Sequence, residues 1–76
     1  MRNSDLKTRL RIMLSHFEMN QKELSQKTGI REATICLYCT GKREPNARYL
    51  CMIADAMQVS PSWLLGYGDD DKMERM

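Results

Sequence analysis

A chain of 76 residues, 42% hydrophobic and 7% aromatic, forms one domain and buries only about 60% of the surface its unfolded form exposes. A core of that size leaves little room for an active site with its own walls and lid, so a small module that works through its surface fits the length better than an enzyme. The net charge of +2 is unevenly placed, with ten Lys/Arg against five Asp/Glu in residues 1–48 and two against five in residues 49–76, a polarity that suits either a face for a polyanion or a solvated basic surface.

No apolar run approaches the roughly 18 residues that would suggest a membrane span, and the opening "MRNSDLKTRL" lacks the apolar centre of a signal peptide. A cytoplasmic protein without membrane contact is expected. Three cysteines, an odd number, do not make a disulfide framework in a reducing compartment.

Leu6, Leu10, Met13 and Phe17 recur at helical spacing, with Leu14 one turn beyond Leu10, so residues 4–17 read as an amphipathic helix capped by Ser4 or Asn3. The segment "MNQKEL" carries a full helix-start signal. Asn20 is the N-cap, Glu23 its capping-box partner, and Met19 and Leu24 are spaced as a hydrophobic staple. A short second helix then runs from Gln21 to about Lys27 and stops at Gly29, which takes the left-handed conformation without steric cost. The third helix starts about two residues later and runs to Thr40, ahead of Gly41. "GKREPN" is a polar loop in which Asn46 caps a fourth helix with Leu50, Ile53, Ala54 and Met57 on its apolar face. The end of that helix is weakly marked, because Gln58 stands where a glycine is expected. "SPSWLLG" supplies a fifth helix, with Ser60 as N-cap, Pro61 in first position and Gly66 as terminator. The pattern is all-α and compact, with five helices and no strand. Residues 1–66 make the domain and the aperiodic "YGDDDKMERM", residues 67–76, a solvated tail.

Within this series, Leu24, Ile30, Ile35 and Tyr38 can face one core, Ser25 is small where two helices must cross closely, and Gly29 marks the turn. This is the spacing of a helix-turn-helix. Across residues 19–66, "MNQKELSQKTGIREATICLYCTGKREPNARYLCMIADAMQVSPSWLLG" resembles the phage-repressor/Cro-like, XRE-type helix-turn-helix family, and helix one extends the likeness to about residue 6. The features that carry it are Gln21 opening helix two, the "TGI" turn, "YCTGKREP" and the closing "VSPSWLLG". The resemblance implies a five-helix bundle that inserts helix three into the major groove of double-stranded DNA, as a homodimer on a pseudo-palindromic operator.

Physical chemistry is consistent with that implication. Free backbone N–H groups at the starts of helices two and three can meet phosphates. Asn20 and Gln21, which match the family's phosphate-contacting cap, then position the domain without reading sequence. Thr34, and Lys42 and Arg43 in the loop after helix three, are expected on phosphates as well. Advancing about 100° per residue from an inward Ile35, Tyr38 and Cys39 stay on the inner side, Ala33 and Leu37 face out, and Glu32 and Cys36 flank them. By the family's pattern Arg31, Glu32, Ala33, Cys36 and Leu37 form the base-reading surface. Arg31 can fork onto guanine or hold a phosphate, Glu32 can accept from a cytosine amino group, and Ala33 and Leu37 can touch thymine methyl groups. The rival reading is a protein-interaction module, such as an antitoxin or anti-repressor partner, that uses the apolar Ala33/Leu37 face.

Catalysis and metals find no support. His16 is the only histidine, and no Ser-His-Asp arrangement is suggested. Asp69, Asp70 and Asp71 lack the spacing of a calcium loop. Cys36 and Cys39 form a C-x-x-C, but Cys51 and His16 do not supply the second ligand pair that a zinc site needs. A redox pair sits at a helix start, where the dipole favours thiolate, whereas these two lie toward a helix end. No cofactor is expected. The resemblance also implies that Leu14 and Cys39 stand where relatives carry an Arg–Glu ion pair, exchanged here for an apolar contact of the kind that is often neutral or stabilising.

Overall fold

The computed structural model describes residues 6–67, and these form α1 (Leu6–His16), α2 (Gln21–Thr28), α3 (Glu32–Thr40), α4 (Ala47–Met57) and α5 (Pro61–Leu64). Among the described residues there is no strand. The order and number of helices are those expected from the sequence. The caps proposed for α1, Ser4 and Asn3, lie outside the described residues, as do residues 68–76 of the proposed tail.

The first helix ends one residue short of Phe17 and the second extends one past Lys27. α1 packs against α3 and α5, α2 against α3 and α4, and α4 against α5. The centre of the bundle is built from Leu10, Met13, Leu24, Ile35, Ile53, Val59, Trp63 and Leu64, all with no exposed surface. Phe17 and Met19 are half-buried against this core.

Helix ends in this chain share one device. Each helix is followed within two residues by a residue in the left-handed region: Glu18, Gly29, Gly41, Gln58 and Gly66. After α1, the Glu18 amide donates to Ser15 O at 3.1 Å and the Met19 amide to Leu14 O at 2.9 Å. After α4, Gln58 N–H reaches Asp55 O at 3.2 Å and Val59 N–H reaches Ala54 O at 2.9 Å. This is the Schellman arrangement, in which the last free carbonyls of a helix are satisfied by the chain reversing over them. It explains how α4 stops without a glycine. Val59 and Ala54 are both fully buried, so the apolar contact that accompanies this motif holds Gln58 in a conformation its side chain disfavours.

At α5, Pro61 takes the first position and Ser60 is extended, as expected, but the Ser60 side chain caps nothing. Its Oγ lies 2.9 Å from Ser62 Oγ instead. Gly66 is left-handed, and the helix proper stops two residues before it, at Leu64.

Candidate nucleic-acid interface

The turn that sets α3 against α2 is tied by side chains as well as by backbone. Gly29 N–H donates to Ser25 O at 2.8 Å, with Gly29 at φ 83°. Thr28 Oγ1 donates to Leu24 O at 2.8 Å and accepts from Ile30 N–H at 3.1 Å, while Ser25 Oγ donates to Ile30 O. Ser25 therefore does more than keep the crossing close. Buried Leu24, Ile30, Ile35 and Tyr38 anchor the two helices to one core. An interface residue on the outer side of α3 is held by this anchoring on the inner side.

On α3, Arg31, Glu32, Ala33 and Cys36 are exposed, and Thr34 and Leu37 are half-buried. Leu37 is thus less outward than the helical wheel suggests. Ala33 is left as the only fully exposed apolar side chain of the Ala33/Leu37 strip, which shrinks the surface available to the rival protein-interaction reading. Cys36 and Cys39 divide as their wheel positions require. Cys36 is exposed and Cys39 is 3% exposed; burial pushes the Cys39 thiol up, opposed by the charge of Arg11 and reinforced by Cys36. Leu14 and Cys39 are both buried and line one groove together with Arg11 and Met19.

The starts of α2 and α3 differ. At α2 the capping box is complete: Asn20 Oδ1 accepts from Glu23 N–H at 2.8 Å, and Asn20 N–H donates to Glu23 Oε1 at 2.9 Å. The Leu24 amide also goes to Asn20 O at 3.1 Å. Of the first-turn amides of α2, those of Gln21 and Lys22 are the ones left for an outside acceptor, so the free N–H set expected there is narrower than the sequence suggested. Asn20 keeps its amide hydrogens to donate. At α3, Arg31 is the N-cap and its side chain caps nothing, so the first turn of α3 offers its amides without a side chain in front of them.

Beyond α3, Gly41 turns the chain at φ 79°, and a Cβ there would stand 2.8 Å from Lys7 Cδ. The Lys42 and Arg43 amides fold back onto Leu37 O at 3.0 and 3.3 Å. This fixes where the two exposed cations leave the helix. Asn20 is exposed and Gln21 half-buried on the other side of α3, where both line the groove that also includes Arg11, Lys22 and Glu32. The structure therefore borders the exposed face of α3 with Asn20, Gln21 and Lys22 on one flank and Lys42 and Arg43 on the other. Among the described residues, none of these cations forms an ion pair.

One residue that sequence reasoning missed decides how the bundle closes. Arg9 is 1% exposed. Its guanidinium lies 4.9 Å from the centre of the Trp63 ring and donates to Trp63 O at 3.0 Å, Tyr67 O at 2.9 Å and Gly66 O at 3.5 Å. A cation is thus placed on the carbonyl end of α5, where the helix dipole and the unsatisfied carbonyls both favour it. A signal existed, since Arg9 stands three residues after Leu6 and four before Met13, on the apolar stripe itself. His16, by contrast, is exposed, with its ring edge-on to Phe17 at 4.9 Å and 88°.

Residues 9–70 match the profile of the Cro/C1-type helix-turn-helix DNA-binding domain. The chain belongs to that family. Among its relatives, the HTH-type transcriptional regulator DicA of Escherichia coli (strain K12) is 27% identical over 71 residues, covering 93% of this chain and 52% of DicA. HTH-type transcriptional regulators for the conjugative elements R391, of Providencia rettgeri, and SXT, of Vibrio cholerae, are each 36% identical over 59 residues, covering 78% of this chain and 27% of theirs. This Cro/C1-type chain therefore spans about half the length of DicA and about a quarter of the other two. In three dimensions it resembles the solution structure of the DNA-binding domain of the P22 C2 repressor. The TM-score is 0.79 at 22% identity, over 95% of this chain and 100% of that domain, a likeness of fold. No helix among the described residues is long and apolar enough to cross a membrane.

Proposed function

We propose that this Cro/C1-type chain is a cytoplasmic, sequence-specific transcriptional regulator of double-stranded DNA, a repressor of the phage, prophage or mobile-element kind, acting by occupancy and without an enzymatic step. The observation that carries the reading is the contrast on α3: a helix anchored on one side by Ile35, Tyr38 and Cys39 keeps its opposite face exposed and its first turn uncapped. Such a face, bordered by Asn20, Gln21 and Lys22 on one flank and by the Lys42 and Arg43 side chains on the other, suits a major groove about 12 Å wide between two rows of phosphates. The regulator names borne by DicA and by the conjugative-element relatives support the same reading.

In this reading Arg31, Glu32, Ala33, Cys36 and Leu37 meet base edges, and Asn20, Gln21, Thr34, Lys42 and Arg43 meet phosphates. Two copies bind a pseudo-palindromic site with half-site centres about 34–36 Å apart. The test is an anisotropy titration against duplex DNA, including the protein's own promoter, at several salt concentrations. A preferred site with a steep salt dependence is expected. Binding that is equal on every sequence would overturn sequence-specific regulation. Within that assay, charge reversal at Lys42 should weaken all duplexes, whereas Glu32→Gln should change which site is preferred.

A further inference from the structure

On the flank of α3 away from Asn20, the helix-turn-helix turn, the loop after α3 and the head of α4 enclose a cleft of about 580 Å³. Tyr38 forms part of its wall. The residue is only 3% exposed, yet its hydroxyl hydrogen-bonds to no described residue. The ring is buried but the oxygen is not among the buried unpartnered atoms, so Tyr38 Oη opens onto the cleft, where a phenylalanine would bring no polar atom. Burial also holds the phenol protonated, because it pushes the group above its ordinary value against the pull of the Arg43 charge. Tyr38 is thus a donor, and Arg43 lies within electrostatic reach of it.

The remaining lining is suited to an anion. Arg31 and Arg43 bring two guanidinium groups against one carboxylate, Glu44. Thr34 adds a hydroxyl. Asn46 Oδ1 is already engaged in capping α4, where it accepts from Tyr49 N–H at 2.8 Å, so the group Asn46 can still offer is its NH₂. The excess positive charge and the neutral donors converge on one concave surface beside the uncapped start of α3.

We propose that this cleft seats a backbone phosphate of the bound DNA, with Tyr38 Oη donating to a non-bridging oxygen and Arg43 balancing the charge. The inference rests on the DNA-binding reading above and adds to it a neutral contact at Tyr38. Because a hydroxyl carries no charge, its contribution should appear in affinity and not in the number of counterions released.

The experiment uses the full chain and a labelled duplex in anisotropy titrations at several salt concentrations, comparing wild type with Tyr38→Phe and Arg43→Gln, with thermal melting of each. Tyr38→Phe should lower affinity about tenfold, as expected for losing a hydrogen bond to a charged group. The loss should be similar on preferred and unrelated duplexes, with the salt slope and the melting temperature unchanged. Arg43→Gln should instead reduce the salt slope by about one. A second arm replaces single phosphates by methylphosphonates along the site, and at one position the Tyr38→Phe loss should disappear. If wild type binds DNA and Tyr38→Phe binds equally well, or if its loss survives at every methylphosphonate position, the phosphate seat is wrong. Saturation of the cleft by inorganic phosphate without any effect of Tyr38→Phe on DNA affinity would assign it to a free anion and overturn the proposal. Failure of the wild type to bind any duplex would instead remove the DNA-binding reading itself.

Discussion

Arg9 and Arg31 carry the same guanidinium, and the fold uses them in opposite ways. Arg9, at the rear of the bundle where α1 meets α5, is buried on three backbone carbonyls and the Trp63 ring. Arg31, at the front, is exposed at the head of α3 and its side chain caps nothing. The rear turns Nη1 and Nη2 of its guanidinium onto backbone carbonyls, and the front keeps its guanidinium at the surface. What separates the structural cation from the one proposed to meet DNA is therefore where its donors go.

The comparison can be broken most forcefully at the rear. Arg9→Met keeps most of the side-chain volume and removes the guanidinium from the buried Trp63 carbonyl and the part-buried Gly66 and Tyr67 carbonyls. The expected loss is roughly 3 kcal/mol of unfolding free energy, measured by urea denaturation. A change below about 0.5 kcal/mol, typical of a surface site, would show that the clamp on α5 contributes little.

The two halves also differ in how their helices end. At the front, α2 and α3 turn on Gly29 and Gly41, whereas α1 and α4 turn on Glu18 and Gln58 at φ 54° and 56°. A side chain in the left-handed region costs about 1 kcal/mol relative to glycine. Gln58→Gly should accordingly raise stability by up to about 1 kcal/mol, with DNA affinity untouched because Gln58 is in neither flank of α3; calorimetric melting reads the gain. A loss of stability would mean that the interactions of the Gln58 side chain outweigh the strain of its backbone.

The smallest effect on stability belongs to Arg31. Arg31→Met should leave the melting temperature within the range of about ±0.5 kcal/mol typical of surface substitutions while weakening DNA binding. A large fall in stability would place Arg31 with Arg9 and erase the distinction between front and rear.

Much of the front was legible because its signals are local. The capping box of Asn20 and Glu23 spans three residues, and the residues of the turn from Thr28 to Ile30 are adjacent in the chain, so residue types and spacing were enough to foresee α2, the turn and α3. Which side of α3 stays outward also followed from its period, though Leu37 is half-buried instead of exposed. The extent of capping at α2 was harder to see, because the sequence indicates that a box can form and not how many amides it leaves over. Tyr38 illustrates the other limit: its burial was foreseeable from the wheel, but not its unpartnered hydroxyl, which depends on how α4 and the loop after α3 close around it.

By itself, the sequence determined the all-α class, the order of the five helices, the capped starts of α2 and α4, the turn between α2 and α3, and most of the residues on the outer side of α3, since each of these rests on contacts within a few residues. Only the tertiary structure decided that Arg9 is interior, that Gln58 ends α4, and that Tyr38 opens onto a cleft lined by two arginines. The reason is one of reach. The Arg9 donors find their acceptors 54 to 58 residues away, the left-handed Gln58 is favoured by burial of Val59 against Ala54 in the assembled core, and the cleft exists only where the turn, the loop and α4 meet.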